Sequence, residues 1–255
     1  MPTHAHPLAT CSFAVRGDEV DRTGNVGAPQ LLRYLEFGRW QATATADEGM
    51  APLFAGDRKM VVRAQRLRVA STVTWNDVLE VQTWLARTGR TSVDIGHRLT
   101  RVDTGALVCE ALLTGVQIDA TGRPLALPPG VAATPDAPEV DKHLVNTIFT
   151  ETLPASSWSW PQTIRPSQTD LFRHVNHSRY VDLFEDARWF AERAKAISDW
   201  QPKRTLALVA LEYRREAKAG DDVRVLLAPR DPDTLDGILM RGDEILTRAV
   251  LQVQP

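Results

Sequence analysis

Residues 21–40, DRTGNVGAPQLLRYLEFGRW, and residues 170–189, DLFRHVNHSRYVDLFEDARW, align without a gap at an offset of 149. They share Asp21/Asp170, Val26/Val175, Glu36/Glu185, Arg39/Arg188 and Trp40/Trp189. A repeat of this length makes the chain two copies of one supersecondary unit, and 255 residues suit two domains of about 125. The segments after each copy agree with this. In the second, Tyr180, Phe184, Ala187, Ala191 and Ala194 fall at three- and four-residue spacings, with Leu183, Phe190 and Ile197 beside them. That is one broad apolar stripe on a long helix. In the first, Leu31, Leu35, Gly38 and Ala42 repeat it more weakly behind Pro29, which suits a first turn. Helices are expected near 29–48 and 177–197. Strand-like segments come next, at 61–70, 78–86, 92–101 and 107–118, and again at 206–213, 223–227, 237–241 and 245–253. Each half therefore reads as strand, turn, long helix and four strands, closed as an antiparallel meander, an α+β arrangement.

Between the halves, residues 119–140 carry prolines at 124, 128, 129, 135 and 138 and read as a linker over the surface. Residues 141–152 are ambiguous, with a short helix as one reading, so the boundary belongs near 140–155. The domains are then 1–140 and 141–255, the second carrying the candidate site. A 43% hydrophobic content is enough for a sizeable core, and a net charge of −2 points to neither nucleic acid nor membrane. Cys11 and Cys109 have no metal-ligand spacing and form no disulfide framework. The opening residues lack the basic and apolar regions of a signal peptide. The longest apolar runs, such as 206–211, fall far short of the roughly 20 residues of a membrane span. A cytoplasmic protein is the expectation.

One long helix wrapped by an antiparallel sheet, twice over, resembles the hotdog fold. The stretch DLFRHVNHSRYVDLFEDAR resembles the hotdog thioesterase signature, an Asp shortly before His-Val-Asn and then an aromatic-rich helix ending in Ala-Arg. With the tandem organisation, it is similar to the fatty acyl-acyl carrier protein (ACP) thioesterases of plants and bacteria, which are related to the 4-hydroxybenzoyl-CoA thioesterases. Further resemblance lies in FAVRGDEVDRTGNVGAPQLLRYLE, in MVVRAQRLRVASTVTWNDVLEVQTWL and in LEYRREA at 211–217. The resemblance implies a tandem hotdog, hydrolysis of acyl thioesters and no cofactor beyond the substrate's pantetheine arm. It also implies that the two sheets pair edge to edge. In that family Asp, Asn and His of Asp-x-Asn-x-His-Val-Asn, with a Glu-Cys pair, are the reactive residues. Asp170, His174 and Glu216 match them. Phe172 stands where the family has Asn, and Ala217 where it has Cys, which excludes a cysteine nucleophile there.

The same residues make chemical sense without the family. Thioester hydrolysis needs an activated water or nucleophile and a group to stabilise the oxyanion. Asp170 lies on the turn into the second helix, whose start near 176–178 offers unpaired N–H groups and the positive end of a dipole. It can act as nucleophile, through an anhydride, or as general base. His174 can share the proton work or orient the carboxylate, and Glu216 can be the base for water. Asn176, Phe172 and Tyr180 are candidate substrate contacts. Each has a plainer reading too: Asp170 as a turn residue, His174 as a half-buried histidine, Asn176 as an N-cap, Glu216 as a solvated edge charge.

The first half keeps Asp21 but has Asn25 in place of His174 and Ser71 near the place of Glu216, so it reads as a scaffold that completes the acyl channel. His97 and His143 read as surface residues. Two basic groups, Arg58, Lys59, Arg63, Arg66 and Arg68, and Lys203, Arg204, Arg214, Arg215 and Lys218, can steer an acidic carrier protein or simply face solvent. The likeness to hotdog hydratases and dehydratases is weaker, since no His-Phe-Pro occurs. A non-catalytic acyl-thioester binder is the third reading, and acyl-CoA the alternative substrate. No phosphate loop, zinc spacing or dinucleotide fingerprint is present. Since one chain supplies both halves, a monomer or weak homodimer is expected.

Overall fold

The computed structural model describes residues 8–45, 50–197 and 205–253. The chain divides into two compact units, Met1–Asn146 and Thr147–Pro255. Both are α+β hotdog units.

In the first unit β1 (Ala9–Ala14) leads through a turn to α1 (Ala28–Thr45). Then come β2 (Lys59–Val69), β3 (Val78–Thr88), β4 (Ser92–Arg101), β5 (Leu107–Ile118) and the four-residue α2 (Lys142–Val145). The strands form an antiparallel sheet in the order β1-β3-β4-β5-β2. Leu31, Leu32, Tyr34, Leu35 and Ala42 are the buried face of α1. Gly38 lets that helix come close, because a Cβ there would lie 2.8 Å from Val81 of β3. The helix matches the expected 29–48 as far as residue 45; residues 46–48 lie outside the described residues.

The second unit repeats the plan with β6 (Trp158–Thr163), α3 (Arg179–Arg193), β7 (Leu206–Tyr213), β8 (Asp222–Asp231), β9 (Thr234–Arg241) and β10 (Glu244–Val253). Its antiparallel order is β7-β10-β9-β8-β6. Tyr180, Val181, Leu183, Phe184, Ala187 and Ala191 form the buried stripe of α3. The helix is shorter than the expected 177–197. It stops at Arg193, where Lys195 turns left-handed (φ 55°) and donates its amide to Glu192 O. Ala194 and Ile197 thus fall past its end, though Ile197 stays buried. Here the close approach comes from the sheet: a Cβ on Gly237 of β9 would lie 2.7 Å from the Phe184 ring.

Two readings of the first unit need correction. His97 is not a surface residue. It is 1% exposed on β4, with Nδ1 3.1 Å from Thr83 Oγ1. β4 is the middle strand of its sheet, and residues 93–97 are all buried whichever face they point to, so alternation misleads there. The side chain of His143 lies outside the described residues. The proline-rich segment is also more than a linker. Thr134 donates its amide to Leu85 O and accepts the Leu85 amide on Oγ1 at 3.0 Å. β1 pairs with β3 only as far as Thr83, so the segment covers backbone that the edge strand leaves open. Leu127 and Val131 then pack against the buried cluster that contains Leu85, Val93, Ile95 and Leu113.

Gly237→Ala should lower the unfolding free energy by about 1–3 kcal/mol in urea denaturation, because the added Cβ would press on the fully buried Phe184 ring. A second change, Phe184→Leu, should recover part of that loss.

Candidate active site

The site begins with a closed loop ahead of α3. Asp170 donates its amide to His174 O (3.0 Å), and Arg173 donates to Asp170 O (2.9 Å). The Phe172 amide donates to Asp170 Oδ1 (2.9 Å). Arg173 holds the left-handed conformation at φ 65°, which costs a non-glycine residue about 1–2 kcal/mol. The first unit builds the same loop with Asp21, Gly24 (φ 81°) and Asn25, Thr23 donating its amide to Asp21 Oδ1. Both aspartates thus serve as turn residues. In addition, Asp170 Oδ2 meets no donor among the described residues, and the side chain is one-fifth exposed.

Asn176 prepares the helix. Its Oδ1 accepts both the amide (2.9 Å) and the hydroxyl (2.7 Å) of the buried Ser178, the residue before α3. Val175 ties the loop to the chain beyond β7 by donating to Ala217 O at 2.8 Å. The Ala217 amide in turn donates to Tyr180 Oη at 3.1 Å. Tyr180 is 3% exposed, and burial pushes its phenol up to about 12. The Tyr213 hydroxyl donates to His177 O (2.8 Å), and its ring meets Tyr180 edge-on at 5.3 Å. Sequence reasoning does not single out Tyr213, although it sits inside LEYRREA, and it places Lys218 only among the basic groups.

These ties bring Glu216 to the same corner as Asp170 and His174. Glu216 is exposed and paired with Lys218 Nζ at 2.8 Å. The hydrogen bond from Lys218 holds its carboxyl below the usual range against partial burial, and the charges of Lys218, His174 and Arg241 add to the effect. His174 Nδ1 stands 3.9 Å from Asp170 Oδ1, beyond hydrogen-bond length, while the Phe172 ring stacks on the imidazole at 5.9 Å and 14°. Asp170, Phe172, His174 and Glu216 therefore share one corner of the unit, with Tyr180 beneath and Asn176 at the helix entry.

The first-unit counterpart of Val175–Ala217 is Val26 donating to Val73 O. Glu216 thus corresponds to Thr72, one residue beyond the expected Ser71. A groove of about 800 Å³ runs along β6, lined by residues 160–166 with Ala219 and Gly220, and its lining includes none of the four corner residues. Of the basic residues, Arg68 pairs with Glu110 and Asp141, Arg214 with Glu151 and Arg215 with Glu244. Lys203 and Arg204 lie outside the described residues. Among the described residues, no three or more His, Cys, Asp or Glu side chains are grouped to hold a metal ion, and no helix is long and apolar enough to cross a membrane.

A family model described as the thioesterase-like superfamily matches residues 15–137 and 164–239. The chain belongs to this superfamily. Among curated superfamily relatives, it is 24% identical over 224 residues to a chloroplastic acyl-acyl carrier protein hydrolase of Cuphea viscosissima, covering 80% of this chain and 51% of that protein. It is 23% identical over 236 residues to a chloroplastic palmitoyl-acyl carrier protein thioesterase of Cuphea hookeriana, covering 87% and 54%. The chain thus spans about half the length of these relatives. Among solved structures, an acyl-ACP thioesterase from Bacteroides thetaiotaomicron matches with TM-score 0.80 and 18% identity over 96% of this chain and 97% of that one. A 12:0-ACP thioesterase from Umbellularia californica matches with TM-score 0.78 and 20% identity over 98% of each. These likenesses show the tandem hotdog fold of the superfamily.

Beneath the corner, burial opposes ionisation of Asp221, but the Lys218 amide (2.9 Å) and the Arg241 guanidinium (2.7 Å) outweigh it and hold the carboxyl low. A depressed carboxyl contributes stability above its unfolded value of about 3.9 and loses it as pH falls through the folded value. Asp221→Asn should therefore be destabilising at pH 7, with the gap from the parent closing below about pH 4. Denaturant midpoints measured across pH test this.

Proposed function

We propose that this chain is a thioesterase whose site lies in the second unit, hydrolysing acyl groups carried on ACP to free fatty acids. The observation that carries the reading is the asymmetry of the duplicated loop. Two units build the same turn, but only the second adds an imidazole at 174 and a carboxylate at 216, where the first has Asn25 and Thr72. The names of the Cuphea relatives favour ACP over CoA as carrier.

In this reading Asp170 takes a proton from water through Oδ2, its other oxygen being engaged by Phe172. The water oxygen bonds to the thioester carbon, and the oxyanion faces the positive start of α3. Collapse breaks the carbon–sulfur bond, the sulfur takes a proton from the His174 imidazolium and leaves as the thiol, and the proton that Asp170 took from water passes back to the imidazole. Glu216, kept ionised by Lys218, orients the water from the other side. Asn176, Phe172 and Tyr180 are the substrate-binding residues. Phe172 is 56% exposed and offers apolar surface, and Tyr180 accepts a bond from Ala217 while retaining its own proton to donate. The setting is cytoplasmic fatty-acid synthesis, with the chain acting as a monomer or weak homodimer and needing no cofactor.

Asp170→Asn keeps the turn's shape but removes the charge, and should lower turnover of an acyl-ACP by about a hundredfold or more, whereas Asp21→Asn should change it by less than about threefold. Thiol release followed with a thiol reagent, on variants checked for folding, is the measurement. A binder would release at most one equivalent. Loss of activity in Asp21→Asn with folded Asp170→Asn intact would put the site in the wrong unit.

A further inference from the structure

A histidine that moves protons must hold its ring in one orientation, and the common restraint is a hydrogen bond to one ring nitrogen. His174 lacks it. Neither ring nitrogen has a hydrogen-bond partner among the described residues, and the nearest carboxylate oxygen, Asp170 Oδ1 at 3.9 Å, already accepts the Phe172 amide. The group that does touch the imidazole is the ring of Phe172, nearly parallel at 14° and 5.9 Å between centroids, within the range of offset stacking. The left-handed backbone at Arg173 separates the two stacked residues.

The first unit supplies independent support. Its residues at the same two loop positions, Thr23 and Asn25, also grip each other, Asn25 Nδ2 donating to Thr23 Oγ1 at 3.1 Å. The loop therefore couples these two side chains in both copies, through a hydrogen bond in one and ring contact in the other.

From this geometry we infer that Phe172 is a positioning residue that orients His174 by stacking. The inference rests on the proposed role of His174 in proton transfer. Stacking differs from a hydrogen bond in one respect that matters chemically: it restrains the ring plane and leaves both nitrogens available. A polar residue at 172 would engage one nitrogen, as Thr23 engages Asn25. Phenylalanine cannot, so both Nδ1 and Nε2 remain open to water and to the departing thiol.

The test joins kinetics to a direct view of the ring. Phe172→Ala should lower kcat by about tenfold, apart from any rise in KM from the lost apolar surface, and Phe172→Tyr, which keeps the ring, should recover most of the kcat. In a His174→Ala background, Phe172→Ala should lower kcat no further. NMR of the full chain should show the His174 ring-proton resonances shifted by the neighbouring ring in the parent and in Phe172→Tyr, and returned toward the free-histidine position in Phe172→Ala. Additive losses of kcat in the double variant, or a rise in KM with kcat unchanged, would overturn the inference by leaving Phe172 a substrate contact and nothing more. Unchanged His174 resonances in Phe172→Ala would overturn it as well. If His174→Ala leaves hydrolysis intact, the proton-transfer reading of His174 fails, and the resonances still report whether the ring is held.

Discussion

The backbone of Ala217 is where the second unit becomes a site. Its carbonyl accepts the amide of Val175, and its amide is taken up by the Tyr180 phenol. The first bond ties the loop ahead of α3 to the chain beyond β7, and the second ties α3 itself to the same point. Glu216 precedes this alanine and His174 precedes Val175, so main chain brings the two to one corner, where the imidazole charge then favours the ionised carboxylate. Because a backbone carbonyl and amide do this work, the side chain at 217 can be as small as a methyl group.

The two units are copies in backbone and rivals in chemistry. Asp77 and Asp221 each accept an amide three residues upstream and a guanidinium from a later strand, Arg101 in one and Arg241 in the other. Asp21 and Asp170 close equivalent turns. At the site, the divergence lies in the side chains that project from this shared frame. Leu31 occupies the place of Tyr180, and Asn25 that of His174. A duplicated scaffold can vary such positions in one copy while the other retains a plain structural surface.

The extents of the strands are legible because their apolar residues run in short blocks between turn residues, and 92–101, 107–118 and 206–213 match the structure to the residue. Which residues those strands bury is less legible, as at His97 on the doubly buried β4. The end of α3 was overextended because its apolar spacing continues into Ala194 and Ile197, and the left-handed turn at Lys195 has no signal in a lysine. The counterpart of Glu216 slipped by one residue for a similar reason. The two halves run at an offset of 149 at the helix start, but 144 at Val73 and Ala217, since the second unit is five residues shorter between those two points. The candidate residues themselves were legible from the motif. Their contacts were not, because the stacking of Phe172 on His174 depends on a backbone angle at Arg173 that composition does not encode.

The strap formed by Thr134, Leu127 and Val131 carries a consequence for where the two halves can be severed. Cutting the chain after the last strand of the first unit, at residue 118, would strip the cover from the end of β3 and expose Leu85, Val93 and Ile95 to solvent together. An open strand edge beside bare apolar side chains invites pairing with other chains. The first unit, taken alone, is therefore complete only when it keeps the proline-rich segment past residue 134. By its hydrogen bonds and packing, the stretch that composition marks as a joint is part of the first unit's wall.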